Sequence, residues 1–179
     1  TELGYEVETG IGQTGVVGLI QGKQGPGKMI GLRADMDALP IQERNQFPHA
    51  SRHPGKMHAC GHDGHVAMLL GAAQEIAENP NFKGSVVLIF QPAEEGGAGA
   101  QRMIDDGLFV RYPVDAVFAM HNWPGLQEGE FAAHTGAVMA SSNEFSVKIQ
   151  AKGAHAAMPD LGIDPVVIAA QLILAFQTI

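Results

Sequence analysis

Disulfides are the first thing this sequence excludes, because its 179 residues contain a single cysteine, Cys60. One thiol cannot cross-link the chain, so stability must come from a buried core, and a reducing, cytoplasmic location is the expectation. Basic residues are also scarce. Eleven Lys and Arg stand against nineteen Asp and Glu, a net charge of −8. The few cations form no cluster, which argues against a nucleic-acid partner. No apolar run reaches the roughly 20 residues that a bilayer span requires, so no membrane partner is expected. The longest run, residues 166–176, is interrupted by Gln171. Internal repeats and low-complexity segments are missing. No signal peptide is recognisable, although the chain starts at Thr1 rather than Met.

What is present is an ordinary globular mixture, 45% hydrophobic and 17% charged, of a length suiting one domain or one and a part. Both ends read as cut. Residues 3–7 resemble a strand already entering a fold, and the last helix reaches Ile179 still apolar and uncapped. The expectation is part of a longer protein.

Short β-branched runs alternate with helical ones. Residues 15–21, 29–33, 85–90 and 114–120 read as strands, while about 64–78 and 98–106 read as helices ended by Asn79-Pro80 and Gly107. Continuous apolar strands between helices predict an α/β fold, a mostly parallel sheet with flanking helices. The pattern changes after about Ser141. Residues 144–150 alternate strictly, as a half-buried strand does. A loop containing His155 and a helix over 164–179 come next. Residues 1–141 are expected to be the N-terminal part of one domain, and 142–179 the beginning of a smaller α+β domain.

The segment His58-Ala59-Cys60-Gly61-His62-Asp63-Gly64-His65 gathers imidazole, thiolate and carboxylate, the ligands of zinc and its borderline-soft neighbours, at the start of a helix. Three apolar strands end in residues of the same kind: Asp35 and Asp37, Glu94 and Glu95, and His121. In open α/β sheets ligands bind outside the carboxyl ends of strands. Each residue has a plainer reading: Cys60 as a small buried hydrophobe, Glu94-Glu95 as a solvated helix start, Asp35 and Asp37 as a turn, His121 as a core histidine. His65, inside the helix, could merely hydrogen-bond a neighbour. The convergence of four sets favours a metal centre. Adjacent glutamates suit hydrolysis, one binding the ion and the other free to move a proton between water and a leaving amine. A lone cysteine among carboxylates makes a poor structural zinc site, whereas a thiolate can bridge two ions. One or two divalent ions are expected, zinc or manganese, cobalt or nickel.

These residues resemble the amidohydrolase branch of the aminoacylase/carboxypeptidase G metallopeptidase superfamily, which includes hippurate hydrolase and the N-acyl- and indole-3-acetyl-amino-acid hydrolases. The matching blocks are residues 14–18, 32–40, 57–65, 90–97 and 153–159, in order along essentially the whole chain. The resemblance implies a zinc-peptidase-like catalytic domain followed by the start of a lid and dimerisation domain. It implies metal ligands Cys60, His62, Glu95 and His121, with Cys60 bridging two ions. Glu94 would be the general base and acid, and Asp37 a carboxylate that orients a ligand. Asp35 stands where peptidase relatives carry a ligand histidine. His155 would steady the oxyanion in the partner subunit of a homodimer, although a loop histidine can equally be a surface residue. A further ligand histidine and the rest of the sheet belong to a C-terminal part that this sequence does not contain. The implied reaction is hydrolysis of the amide bond of an N-acyl amino acid by metal-activated water. The alternatives are an exopeptidase or dipeptidase of the same superfamily, a cysteine hydrolase using Cys60, and a non-catalytic truncated homologue.

Overall fold

The computed structural model describes residues 4–179, and the part of the first expected strand at Leu3 lies outside them. Two compact units divide the chain, Thr1–Glu128 and Gly129–Ile179, and each is described by itself.

The first unit is built on five strands: β1 (Glu6–Ile11), β2 (Gly15–Gln21), β3 (Met29–Asp35), β4 (Ser85–Gln91) and β5 (Ala116–Ala119). They lie in the order β1-β2-β4-β3-β5. The half that carries the candidate site, β4-β3-β5, is parallel. The other half is not: β1 pairs with β2, and β2 with β4, in antiparallel fashion. The sheet is therefore mixed. Three residues, Gly12 to Thr14, connect β1 to β2, too few for the crossover that a parallel pair requires.

Helices cover both faces, which is why the central strands read as unbroken apolar runs. Val87 and Ile89 of β4 point to one face. There they join Ile11, Val17, Met103 and Leu108, the last two from α2 (Gly99–Asp105) and α3 (Leu108–Arg111). Leu88 points to the other face and joins Ile20, Ala34, Leu69 and Ala73. Leu69 and Ala73 belong to α1 (His62–Glu78), whose buried residues are His62, His65, Leu69 and Ala73. This is one stripe at helical spacing. The stripe that seats α1 on the sheet thus carries two histidines to the end of the sheet where β3, β4 and β5 finish.

The second unit holds α4 (Pro165–Phe176), capped by the Asp164 side chain, which accepts a hydrogen bond from the Val166 N–H at 2.8 Å. The rings of Phe145 and Phe176 meet edge to face, with centroids 5.2 Å apart. The strand expected over 144–150 is not formed, since these residues are mostly exposed and lack ladder pairing. Alternation makes a segment compatible with a sheet. A strand also needs a neighbour, and among the described residues of this unit only the single bridge Lys152–Ile163 is present.

Candidate metal centre

Each strand of the parallel half delivers one part of the site. β3 ends at Asp35, and Asp37 comes two residues on. β4 ends at Gln91, and the turn through Ala93 brings Glu94 and Glu95 back over the sheet. β5 ends at Ala119, two residues before His121. Ala93 and Ala98 both adopt positive φ, at 50° and 51°, unusual for residues with a Cβ. The amides of Gly97 and Gly99 close onto the Ala93 carbonyl at 3.2 and 3.0 Å. The glutamate turn is therefore held by backbone bonds.

His62 sits at the centre and is 1% exposed. Its Nδ1–H donates to Asp37 Oδ1 at 3.2 Å. That leaves the Nε2 lone pair facing inward, and this buried nitrogen has no hydrogen-bond partner. It lies 3.6 Å from Asp35 Oδ2 and 3.8 Å from Glu95 Oε1. A buried acceptor left unpaired is costly, and a cation in front of it supplies the missing partner. Its surroundings suit one. Cys60, His62 and His121 can each place a ligand atom within 4.8 Å of the others, as can His62, Glu94 and Glu95. Cys60 Sγ is 3.5 Å from His121 Nε2, and His121 Nδ1–H donates to the Asn122 carbonyl at 2.7 Å, which turns the other ring nitrogen toward the sulfur. Asp37 serves two neighbours, because its Oδ2 also accepts the Glu95 amide at 2.9 Å. The donor set of imidazole, thiol and carboxylate fits a borderline-soft divalent ion.

The electrostatics are consistent with this. Burial raises the Asp37 carboxyl, but the amides of Glu95 and Glu94, its own amide and His62 outweigh burial and hold it below the usual carboxylate range. Asp35 behaves alike: burial opposes ionisation, while the His65 hydrogen bond and the charges of Arg33 and the histidines prevail. Cys60 goes the other way. Burial, contact with Glu95 and the charges of Glu95, Glu94 and Asp35 push its thiol up. Reactive cysteines occupy electropositive surroundings, so this setting disfavours a thiolate nucleophile in the absence of a metal.

Asp35 and His65 face each other, with the other Asp35 oxygen 3.6 Å from His62 Nε2. Asp35 is 1% exposed and takes His65 Nδ1–H at 2.6 Å and Arg33 Nη1–H at 2.8 Å. His58 is exposed on the loop. His155 belongs to the second unit, exposed, with its Nδ1 accepting the Ala157 amide at 3.1 Å. One residue that the sequence pattern does not single out is Asn122, whose side chain fills the space beside Gly61. A Cβ at Gly61 would lie 2.6 Å from the Asn122 amide, and Gly61 also has φ 83°. The sequence signal is a glycine between two candidate ligands, which marks a close approach without naming what approaches. A cavity of about 580 Å³, lined by Thr14, Met36, Leu39, Pro40, Pro92 and Gly97 among others, opens beside Asp37 and Glu95.

Fold and site together define an α/β domain with a constellation of residues able to hold a metal at the carboxyl ends of its parallel strands. The sequence model of peptidase family M20/M25/M40 matches residues 31–177, and the chain belongs to this family. It is 49% identical over 178 residues to the hippurate hydrolase of Campylobacter jejuni, covering 99% of this chain and 46% of that protein. It is also 49% identical over 179 residues to the N-acetyl-L-cysteine deacetylase of Bacillus subtilis, covering 99% of this chain and 42% of that one. Among solved structures, the Bacillus subtilis YXEP protein, a dinuclear metal-binding peptidase of the M20 family, superposes with a TM-score of 0.65. The two are 44% identical over 70% of this chain and 34% of that one. The chain thus spans less than half the length of the curated relatives it matches.

Proposed function

We propose that this chain is the metal-binding part of an amidohydrolase that cleaves N-acyl amino acids. The observation that carries the reading is the unpartnered, buried Nε2 of His62, surrounded by Cys60, His121, Glu94 and Glu95. Relatives named for acting on N-acyl amino acids support the substrate class. Cys60, His62, Glu95 and His121 would hold one or two divalent ions. Bound there, the metal supplies Lewis acidity toward the amide carbonyl and toward water. Glu94 takes a proton from the attacking water. It returns that proton to the amide nitrogen as the carbon–nitrogen bond breaks, giving a carboxylic acid and a free amino acid. Asp37 keeps His62 in the tautomer with Nε2 free and fixes the Glu95 backbone. The cavity beside Asp37 and Glu95, with its apolar walls, suits the acyl group.

Residues 142–179 are read as the start of the lid and dimerisation domain, from which His155 would reach a partner subunit's oxyanion. A reducing, cytoplasmic setting suits a free thiol among the ligands. No helix among the described residues is long and apolar enough to cross a membrane.

The test is release of free amino acid from a panel of N-acyl amino acids, hippurate included, by the complete gene product with and without chelator. Chelator-sensitive release restored by added divalent metal is the expected result. Cleavage confined to substrates with a free α-amine would replace the amidohydrolase by a peptidase. Release indifferent to chelator would return Cys60 as a nucleophile. No release despite bound metal would point to a non-catalytic homologue.

A further inference from the structure

The β3–β5 ladder ends at Arg33–Ala119, so the sheet does not hold His121, two residues further on. The chain is caught again at Asn122. Its backbone amide donates to Nε2 of His65 at 3.0 Å, and its side-chain Oδ1 lies against the same ring nitrogen. His121 is thus bracketed between the last ladder residue and an anchor supplied by α1. The anchor is itself tied down. His65 is 2% exposed and gives its Nδ1 proton to Asp35 at 2.6 Å. Asp35 is clamped by Arg33 at 2.8 Å, and Arg33 Nε–H donates to Gln91 of β4, also at 2.8 Å. With Nδ1 engaged by Asp35 and Nε2 by Asn122, His65 has neither ring nitrogen free for a metal. Its ring meets that of His121 at 65°, with centroids 4.4 Å apart. The Asn122 carbonyl takes the His121 Nδ1 proton and leaves Nε2 toward Cys60.

We infer that His65 is a positioning residue: anchored by Arg33 and Asp35, it fixes the Asn122 peptide, and through it the orientation and tautomer of His121. The inference rests on the proposed role of His121 as a ligand. A leucine would fill the α1 stripe at less desolvation cost. A histidine with both nitrogens satisfied converts that position into a rigid polar link between two strand ends and the ligand loop.

The two amides separate its two arms. Asparagine reaches the Nδ1 position, so His65→Asn keeps a contact with Asp35 and drops Asn122. Glutamine reaches the Nε2 position, so His65→Gln keeps the Asn122 arm. Zinc affinity of the complete protein is measured by competition with a chromogenic chelator for wild type, both variants, His121→Ala, and the His65→Asn/His121→Ala double variant. Outer contacts to metal ligands are typically worth about 10–100-fold in affinity. The expected result is a loss of that order for His65→Asn, recovered in His65→Gln, and no additional loss from His65→Asn once His121 is alanine. Wild-type affinity in His65→Asn, or the same loss with His121 absent, overturns the positioning role, the latter by showing a structural effect independent of His121. Wild-type affinity in His121→Ala removes the ligand reading, and this inference with it.

Discussion

Asparagine in place of Asp37 is the smallest change that tests how the site is held. Among its donors, the carboxylate takes His62 Nδ1–H at 3.2 Å through one oxygen and the Glu95 amide at 2.9 Å through the other. Asparagine has one acceptor oxygen and an amino group that can only donate. With its oxygen toward Glu95, the amino group faces His62 Nδ1. The ring proton must then move to Nε2, the atom aimed at the centre. With its oxygen toward His62, the amino group opposes the Glu95 N–H and displaces the peptide that carries Glu95. Both arrangements damage a proposed ligand while leaving side-chain volume unchanged. The expected loss in zinc affinity is about 10–100-fold, or roughly 1.4–2.8 kcal/mol. Competition with a chromogenic chelator at neutral pH measures it, and unfolding of the metal-free variant shows that the fold survives. Zinc affinity indistinguishable from wild type would mean that Asp37 does not set the His62 tautomer.

Glu94→Gln is expected to keep wild-type metal content by elemental analysis while turnover of the preferred N-acyl amino acid falls by about 10²–10⁴-fold or more, the contribution of a positioned proton carrier. Equal loss of metal and activity would make Glu94 a ligand. Met103 is fully buried between the β1–β2 turn and α3, so Met103→Ala should cost about 2–5 kcal/mol in urea unfolding; a smaller value would show that this face of the core collapses around the gap. Asp35 and Asp37 have carboxyls held below their ordinary values. Their stabilising contribution is therefore present above the unfolded carboxylate pKa of about 4 and is lost as pH falls through the lower folded values. Acid unfolding followed by circular dichroism should weaken in Asp35→Asn, and an unchanged acid limb would refute the assignment. Finally, inactive Glu94→Ala and His155→Ala proteins should regain activity when refolded together if His155 serves the partner subunit. A mixture as inactive as its components would place His155 outside the reaction.

Much of this arrangement was legible because the chemistry is rare and the strands are apolar. A continuous run such as residues 85–90 reads as buried on both faces, and the residues after it must emerge at the end of the sheet. The side chains brought together at that end are of the types that bind metals. The direction of the β1 and β2 pairings was not legible, since hydrophobicity reports burial and not polarity of pairing. Asp35 was ambiguous for a physical reason: a carboxylate that braces histidine and arginine has the same identity as one that binds an ion. Asn122 was invisible because its backbone makes the bond to His121 and shares the contact with His65, and a lone asparagine beside a candidate ligand carries no pattern of its own. Residues 144–150 have the periodicity of a strand and, among the described residues, no neighbour to complete it.

The elements that present the proposed ligands differ in how firmly they are held. His62 is fixed by a helix stripe that runs into the core through Leu69 and Ala73. His121 lies just beyond a four-residue strand that, among the described residues, pairs with β3 alone. Opening the first demands that α1 leave the core, whereas opening the second demands the loss of a short ladder and of the Asn122–His65 contacts. Under the proposed ligand assignment, His121 is then the ligand whose release asks the least of the fold, and His62 the one that asks the most.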